Sequence, residues 1–256
     1  MPGPQAFYDD LAADYHLIFD DWWAGATWQG EVLTRLLHDA GVDPPARVHD
    51  CTCGIGTQAL PLAAQGFRVT GTDLSPAAVE RARAAAAERG IDVRLGVADV
   101  RALPAGLLAE RSDAIVSFDN SLPHLLTDAD LTKAVRSIRG RLEMGGVFLA
   151  SIRDYDAILR DGTTGVEPVL HGSGADRRIV GQAWQWAADR RTVEITMFIL
   201  RPAEDGWAAA VHSVTYRALR RAELTAALEA GGFGQVGWLM PAESGYYQPV
   251  VRATAT

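Results

Sequence analysis

The chain has 256 residues, of which 48% are hydrophobic and 22% are charged, and its formal net charge is −8. This composition excludes a disordered chain and is typical of a globular protein with a substantial core. The acidic balance argues against a nucleic-acid partner, because binding to phosphates depends on Lys and Arg. We therefore expect a small-molecule substrate as the partner and no nucleic acid.

The sequence shows no pattern typical of a leader, a membrane span or a metal centre. Residues 7–28 are rich in Asp and lack the apolar stretch of a signal peptide, and the chain has no run of about 18 apolar residues. The two cysteines, Cys51 and Cys53, are too close for an ordinary disulfide and lack the second pair of a zinc site. We expect a cytoplasmic protein with no membrane partner and no metal, and the sequence is compatible with a homo-oligomer.

Strand and helix patterns alternate through the first 153 residues. An apolar face predicts a helix over 31–40, ended by Gly41, after an N-terminal segment rich in aromatic side chains. The following strands are predicted over 47–51, 67–72, 92–97, 113–118 and 147–153, and the following helices over 58–65, 76–90 and 128–141. This alternation predicts an α/β fold with a parallel, doubly wound sheet.

The pattern changes after residue 156, where strand patterns follow one another directly. Their short connections favour antiparallel hairpins rather than further crossovers. The remaining predicted elements are strands over 178–187, 192–201 and 207–217, a helix over 221–230, and strands over 235–239 and 247–253. We interpret 157–217 as an insertion over the site of one domain that spans 1–256, because no linker separates it.

A glycine-rich turn joins the first predicted strand to the helix after it. Gly54 and Gly56 leave room for a ligand beside the backbone, and the N–H groups at the start of the helix point towards it. Residues 54–59 also fit the G-x-G-x-x-A form of the dinucleotide fingerprint. The turn alone therefore leaves open whether the ligand is NAD(P) or S-adenosylmethionine.

Two acidic residues follow the second and third predicted strands. Asp73, 17 residues beyond Gly56, is placed to accept hydrogen bonds from ribose hydroxyls, as in both classes of enzyme. Asp99 is placed to accept from an adenine amino group, a contact that dehydrogenases do not require. The structural alternatives are a turn-forming Asp73 and a capping Asp99.

Polar side chains also follow the fourth predicted strand, at Phe118-Asp119-Asn120-Ser121. Ligands bind at the carboxyl ends of strands in open parallel sheets, so these residues are placed to meet a substrate. His124, a few residues further, is a candidate base. Its apolar neighbours Leu122 and Leu125 equally fit a packing role.

The ordered set of these motifs resembles a known family. The motifs are DCTCGIGT at 50–57, GTDLSP at 71–76, ADVRALP at 98–104, DNSLPHL at 119–125 and SIRDYD at 151–156. The sequence resembles class I S-adenosylmethionine-dependent methyltransferases, and within them the glycine N-methyltransferase and glycine/sarcosine N-methyltransferase group. The resemblance covers 7–153 and 207–253, and it implies a Rossmann-like sheet of seven strands with the insertion as an antiparallel β cap.

The resemblance implies that S-adenosylmethionine is the cofactor and S-adenosylhomocysteine its product. It implies that Asp73 binds the ribose, that Asp99 binds the adenine, and that the aromatic segment 1–30 closes over the donor as a lid. The residues expected to bind the donor are Tyr8, Trp22, Cys51, Thr52, Gly54, Gly56, Asp73, Leu74, Asp99, Val100 and Phe118. Thr52 stands where the family usually has a glycine, and Trp28 replaces an arginine that contacts the donor carboxylate in relatives.

The resemblance also implies an acceptor site. Arg153 is expected to bind a substrate carboxylate, with Asn120 and Tyr247 as further substrate-binding residues, while Tyr15 and His124 position the acceptor. The alternative for Arg153 is an ion pair with Asp154 or Asp156.

N-methylation of an amino acid or a related amine is the predicted function. The alternatives are O- or C-methylation of a secondary metabolite, an NAD(P)-dependent Rossmann oxidoreductase, and an inactive binding module.

Overall fold

The structure is a computed structural model that describes residues 3–106 and 110–256. The strands are β1 (Arg47–Asp50), β2 (Arg68–Asp73), β3 (Arg94–Val97), β4 (Ser112–Ser117), β5 (Leu142–Ser151), β6 (Gly165–His171), β7 (Arg178–Trp186), β8 (Thr192–Ala203), β9 (Gly206–Arg217), β10 (Phe233–Leu239) and β11 (Val250–Ala255). The helices are α1 (Pro4–Leu11), α2 (Trp22–His38), α3 (Ala59–Ala64), α4 (Pro76–Arg89), α5 (Asp128–Arg141), α6 (Tyr155–Asp161), α7 (Arg221–Ala230) and α8 (Pro241–Ser244). Within the described residues, no helix is long and apolar enough to cross a membrane.

A seven-stranded sheet forms the centre of the molecule, in the order β3-β2-β1-β4-β5-β11-β10. The pairs that join β3 to β5 are parallel, and β11 runs antiparallel to both of its neighbours. The predicted α/β fold with seven strands is confirmed. The strand order reverses beside β1, which pairs with both β2 and β4, so the carboxyl ends of these strands open a crevice for a ligand.

Helices cover both faces of the central sheet. On one face, the apolar stripe of α2, with Leu33 and Leu37, packs against β1, β2 and β4. On the other face, α5 and α7 pack against β4, β5 and β11 through residues such as Ile138 and Leu228. Burial on both faces makes the sheet a rigid support for the loops at its carboxyl edge.

A second sheet, the cap, is built from β6-β7-β8-β9, and all three strand pairs are antiparallel. The predicted antiparallel sheet is confirmed, and it has four strands where the sequence pattern predicted three. The additional strand β6 contains Pro168, and most of its residues are exposed, so it shows no alternation of apolar and polar residues. Because β6 is an edge strand, a proline is tolerated there.

The N-terminal segment differs from the prediction. Helix α2 begins at Trp22, nine residues before the predicted helix, because the Asp21 carboxylate caps it by accepting the N–H of Ala24 at 3.0 Å. Helix α1 packs against the cap, where Phe7 and Leu11 contact β8 and β9. The aromatic residues before Trp22 thus lie between the two sheets, while residues 1 and 2 of the predicted lid lie outside the described part.

A histidine is buried in the central sheet and makes the folding equilibrium sensitive to pH. The imidazole of His49 is fully buried, with Nδ1 2.9 Å from Oγ1 of Thr70 and Nε2 3.1 Å from Oγ1 of Thr72. Burial lowers its pKa from 6.5 to about 3. Between these values the unfolded chain binds a proton that the folded chain does not, so stability falls as the pH drops below 6.5.

We expect His49→Gln to remove this dependence. Wild-type protein loses about 1.4 kcal/mol per pH unit through His49, hence roughly 2 kcal/mol between about pH 8 and about pH 5. The difference in free energy of unfolding between wild type and variant should shrink by that amount, as measured by urea denaturation at both pH values. A difference that stays constant would contradict a neutral, buried imidazole.

Candidate active site

A cavity of about 370 Å³, here called the inner cavity, opens at the carboxyl ends of β1, β2 and β4. It brings together nine of the eleven residues predicted to bind the donor. These are Tyr8, Cys51, Thr52, Gly54, Asp73, Leu74, Asp99, Val100 and Phe118. Residues that are distant in sequence thus share one wall, as expected for loops at the switch point of a parallel sheet.

Asp73 is the last residue of β2 and braces the glycine turn. One carboxylate oxygen accepts the N–H of Gly54 at 2.9 Å, and the other accepts the N–H of Ser75 at 2.9 Å. Burial raises its pKa. A carboxylate has about four acceptor positions, so Asp73 can still accept hydrogen bonds from a ligand in the inner cavity.

Asp99 lines the same cavity but is already engaged by an arginine. It caps a short turn by accepting the N–H of Arg101 at 2.8 Å, and its oxygens lie 2.6–3.0 Å from the Arg101 guanidinium. Arg101 also binds Asp130 at 3.0 Å. The capping role considered from sequence is therefore present, and the adenine contact stays a prediction.

A second cavity of about 640 Å³, the cap cavity, lies between the carboxyl ends of β4 and β5, α1 and the cap sheet. Arg153 and Tyr247, both predicted to bind substrate, line it. Tyr8, Tyr15 and Asp119 line both cavities. The two spaces therefore meet at these three side chains, which form the junction.

Arg153 presents an unused hydrogen-bond donor. Its Nη2 donates to Oε1 of Gln182 at 3.0 Å, and its Cζ lies 4.7 Å from the ring centroid of Trp184. Its Nη1 is buried and has no hydrogen-bond partner among the described residues. The alternative of a structural ion pair is wrong, because Arg221 occupies Asp154 at 2.6 Å and Asp156 at 3.5 Å.

Known proteins with similar sequences include methyltransferases. Residues 48–146 match the family model of a methyltransferase domain. The glycine/sarcosine N-methyltransferase of Parasynechococcus marenigrum is 32% identical over 159 residues, which cover 62% of this chain and 55% of that protein. The enzyme of the same name from Aphanothece halophytica is 28% identical over 142 residues, 56% of this chain and 52% of that protein. The chain thus spans about half the length of the curated relatives it matches.

Solved structures share the fold over nearly the whole chain. An amino pentose methyltransferase from Micromonospora echinaspora, solved with bound S-adenosylmethionine, has a TM-score of 0.75 at 23% identity, with 95% of each chain covered. Residues 48–146 therefore form a methyltransferase domain, and the chain shares the fold of this solved methyltransferase. DesVI from Streptomyces venezuelae has a TM-score of 0.73 at 20% identity, covering 96% of this chain and 97% of the other. The match to a methyltransferase domain and the donor bound in the solved neighbour favour the predicted S-adenosylmethionine over NAD(P) as the ligand of the inner cavity.

Two residues assigned to the donor lie elsewhere. Trp22 stands on the first turn of α2, behind the glycine turn, where its Nε1 donates to Oγ1 of Thr57 at 3.1 Å. Gly56 has a φ of +95°, and a Cβ built on it would lie 2.7 Å from Cγ of Leu60. The assignment of both to donor contact is corrected: in this methyltransferase they shape the turn from behind, and neither is among the described residues that line the inner cavity.

We expect Gly56→Ala to destabilise the methyltransferase more than Gly54→Ala. Both positions have positive φ, which costs about 1–2 kcal/mol for alanine. Only at Gly56 does the new Cβ also collide with a neighbour, so the total loss there should be roughly 2–4 kcal/mol. Urea denaturation of the two variants measures the difference, and equal losses would contradict a packing role for Gly56.

Asn120 holds the backbone of Arg153 and the side chain of Tyr155 in place. Its side chain is buried, with Oδ1 accepting the N–H of Arg153 at 3.0 Å and Nδ2 donating to the Tyr155 hydroxyl at 3.1 Å. Asn120 is not among the described residues that line either cavity. The expectation of direct substrate binding is corrected to that of a positioning residue, since both ends of its amide already hold protein groups.

His124 and Tyr8 form a half-buried pair on the wall of the inner cavity. The Tyr8 hydroxyl lies 2.9 Å from Nε2, while Nδ1 has no hydrogen-bond partner among the described residues. Burial lowers the His124 pKa to about 3, so the imidazole is neutral at neutral pH. The ring of Tyr216, a residue that no motif indicated, packs 4.1 Å from that of His124.

Tyr15 lies at the junction of the two cavities as a protonated phenol. Burial, with a further contribution from the negative charge of Asp119, raises its pKa well above the ordinary value of 10.0. Tyr15 can therefore donate a hydrogen bond and present its ring, but it supplies no phenolate. Its placement at the junction agrees with the prediction that it positions the acceptor.

Asp119, grouped from sequence with the polar residues placed to meet a substrate, lies at the centre of a hydrogen-bond cluster. Its carboxylate accepts hydrogen bonds from the hydroxyls of Tyr246 and Tyr247, and from Nε2 of Gln58 at 2.8 Å. Trp28, the departure noted from sequence, stacks on Tyr246 with ring centroids 5.9 Å apart. The polar residues after the fourth strand signalled this cluster, but the tyrosines lie 127 and 128 residues further along the chain.

Proposed function

We propose that this methyltransferase transfers the methyl group of S-adenosylmethionine to the nitrogen of an amino acid or a related amine. The observation that carries the proposal is Arg153, whose buried Nη1 has no partner among the described residues and whose side chain lines the cap cavity. An arginine fork is suited to bind a carboxylate in two places. The names of the curated relatives, glycine/sarcosine N-methyltransferases, support the same acceptor class.

The inner cavity fits the donor. Asp73 offers a half-buried carboxylate for the ribose hydroxyls, Gly54 leaves its side of the wall open, and Asp99 lines the same cavity for the adenine. Bound S-adenosylmethionine supplies an electrophilic methyl group. Tyr8 and Tyr15 then exclude water from the junction, and their rings suit a sulfonium cation.

The protein contributes alignment rather than proton transfer. His124, with a pKa of about 3, is too weak a base to hold the proton of an ammonium at neutral pH. Its hydrogen bond to Tyr8 instead fixes that hydroxyl at the junction. Holding the nucleophile, the methyl group and the sulfur in line lowers much of the activation barrier of such displacements.

A second candidate acceptor is an amino sugar. Solved structures with this fold include the amino pentose methyltransferase and a sugar N-methyltransferase from Streptoalloteichus, and the cap cavity of about 640 Å³ has room for a sugar ring. Such an acceptor has no carboxylate for Arg153. O- or C-methylation of a secondary metabolite is the remaining alternative.

An acceptor panel tests the proposal through the formation of S-adenosylhomocysteine. We expect product from amino acids, none from the corresponding hydroxy acids and less from amino sugars. The assay is run beside a thermal-shift titration, in which S-adenosylhomocysteine raises the melting temperature and NADH does not. Product from hydroxy acids but not from amino acids would overturn N-methylation, and preference for amino sugars would move the proposal to the second candidate.

A further inference from the structure

Asp119 occupies an unusual position at the end of β4. It has a φ of +57°, and Asn120, the next residue, has a φ of +66°. Consecutive non-glycine residues in the left-handed region are rare and are found where the surroundings hold a strained turn for function. Here the Asp119 N–H donates to Oγ of Ser151 at 2.9 Å, and the Asn120 amide is fixed by Arg153 and Tyr155.

This turn directs the Asp119 carboxylate to the junction, where it lines both cavities. All of its side-chain partners are neutral donors, namely the hydroxyls of Tyr246 and Tyr247 and the amide of Gln58. Among the described residues, no Arg, Lys or His forms an ion pair with it. A half-buried carboxylate held by neutral groups keeps its net charge, and a cationic ligand is the partner that would compensate it.

The cap cavity therefore presents opposite charges at two places. Arg153 offers an unpartnered cationic donor, and Asp119 offers a carboxylate that is at the junction. Two further carboxylates line this cavity, of which Asp154 is paired with Arg221 and Glu167 lies exposed on the edge strand β6. The remaining wall is largely apolar and aromatic, with side chains from α1, the following turn and the cap. Among them are Phe7, Ile18, Val180, Trp184, Ile195 and Met197.

We propose that Asp119 binds the amino group of the acceptor opposite Arg153, and that together they select a zwitterionic amino acid with a large apolar side chain. The inference rests on the proposed function and narrows its substrate class. Glycine, with five heavy atoms, would fill only a small part of a cavity of about 640 Å³. A bulky apolar side chain would instead cover the aromatic wall.

The charge balance of the reaction gives Asp119 a role beyond binding. The bound ammonium first releases one proton to solvent. The lone pair of the resulting amine then forms the N–CH₃ bond as the S–CH₃ bond breaks, and the electron pair of the broken bond stays on sulfur. The positive charge thus moves from sulfur to nitrogen, and the methylated ammonium later releases a proton to solvent. A fixed carboxylate beside the nitrogen stabilises the charge that develops there.

The test uses L-phenylalanine and phenylpropanoate, which lacks the amino group, as ligands of the protein saturated with S-adenosylhomocysteine. Calorimetry should show that wild type binds phenylalanine about tenfold or more tightly than phenylpropanoate. Asp119→Asn should remove most of this preference by weakening phenylalanine alone. Tyr246→Phe removes one hydroxyl that binds Asp119 and keeps the charge. Tyr246 is not among the described residues that line either cavity, so this variant is the matched control and should retain the preference.

The other outcomes are equally decisive. If Asp119→Asn weakens both ligands alike, the residue is structural; if it weakens S-adenosylhomocysteine, it belongs to the donor side. If wild type binds neither the amino acid nor its analogue, the assigned acceptor class is wrong. Methylation of amines with an unchanged rate in Asp119→Asn would sink this inference and leave the proposed function standing.

Discussion

Asp73→Asn should weaken the binding of S-adenosylhomocysteine by about 10- to 150-fold, because a charged hydrogen bond contributes about 1.5–3 kcal/mol. Asp73 is half-buried at the end of β2 and lines the inner cavity, where we expect its carboxylate to meet the ribose. Calorimetry measures the affinity directly. Asp205→Asn, a change of the same type at an exposed turn between β8 and β9, is the control and should leave affinity unchanged.

The Asp73 carboxylate also holds the glycine turn by accepting the N–H groups of Gly54 and Ser75. A second ligand therefore distinguishes direct binding of the ribose from indirect support of the turn. An S-adenosylhomocysteine analogue without ribose hydroxyls should bind wild type weakly and lose little more in the variant. If the variant weakens both ligands by the same factor, Asp73 acts on the turn and the ribose contact is wrong. Changing the protein and the ligand in one thermodynamic cycle isolates the interaction between Asp73 and the ribose hydroxyls.

Arg153→Gln should raise the acceptor KM by about 100-fold while leaving donor affinity unchanged. The change removes a cationic donor whose charged hydrogen bond to a carboxylate contributes up to about 3 kcal/mol, hence roughly 100-fold. The matched control is Arg177→Gln: Arg177 is exposed, and its Cζ lies 5.2 Å from the Trp207 ring, much as that of Arg153 lies 4.7 Å from Trp184. Steady-state kinetics at saturating donor provide the measurement.

A change in kcat with an unchanged acceptor KM would remove the carboxylate role of Arg153. Equal effects from Arg153→Gln and Arg177→Gln would show that loss of the aromatic contact, rather than loss of the fork, is responsible. Arg153→Lys is expected to restore only part of the affinity, because an ammonium cannot bind a carboxylate through two parallel hydrogen bonds.

The central sheet and the inner cavity could be predicted from sequence because their signals are local. Strand and helix patterns alternate along the chain, and the glycine turn, Asp73 and Asp99 lie at strand ends in a fixed order. A parallel sheet brings such ends to one edge, whatever the sequence distance between them. For this reason residues chosen from separate motifs share the wall of one cavity.

Some residue roles were predicted wrongly or missed because they depend on packing and on long-range contacts that a single motif does not show. Gly56 and Trp22 lie in or beside the motif, but their side-chain directions are set by packing against Leu60 and by the early start of α2. Asn120 was placed correctly on a strand end, yet its amide is consumed by protein groups. The hydrogen bonds of Asp119 depend on tyrosines from the far end of the chain, which periodicity cannot locate.

The most direct test of the account is to locate the transferred methyl group. The protein is incubated with S-adenosylmethionine carrying an isotope-labelled methyl group and with L-phenylalanine, and the product is examined by NMR. We expect a labelled N-methyl signal from the wild type that is lost or weakened when Asp73 or Arg153 is replaced. A labelled methyl group on oxygen or carbon, or an N-methyl signal that survives in Arg153→Gln at low acceptor concentration, would contradict it.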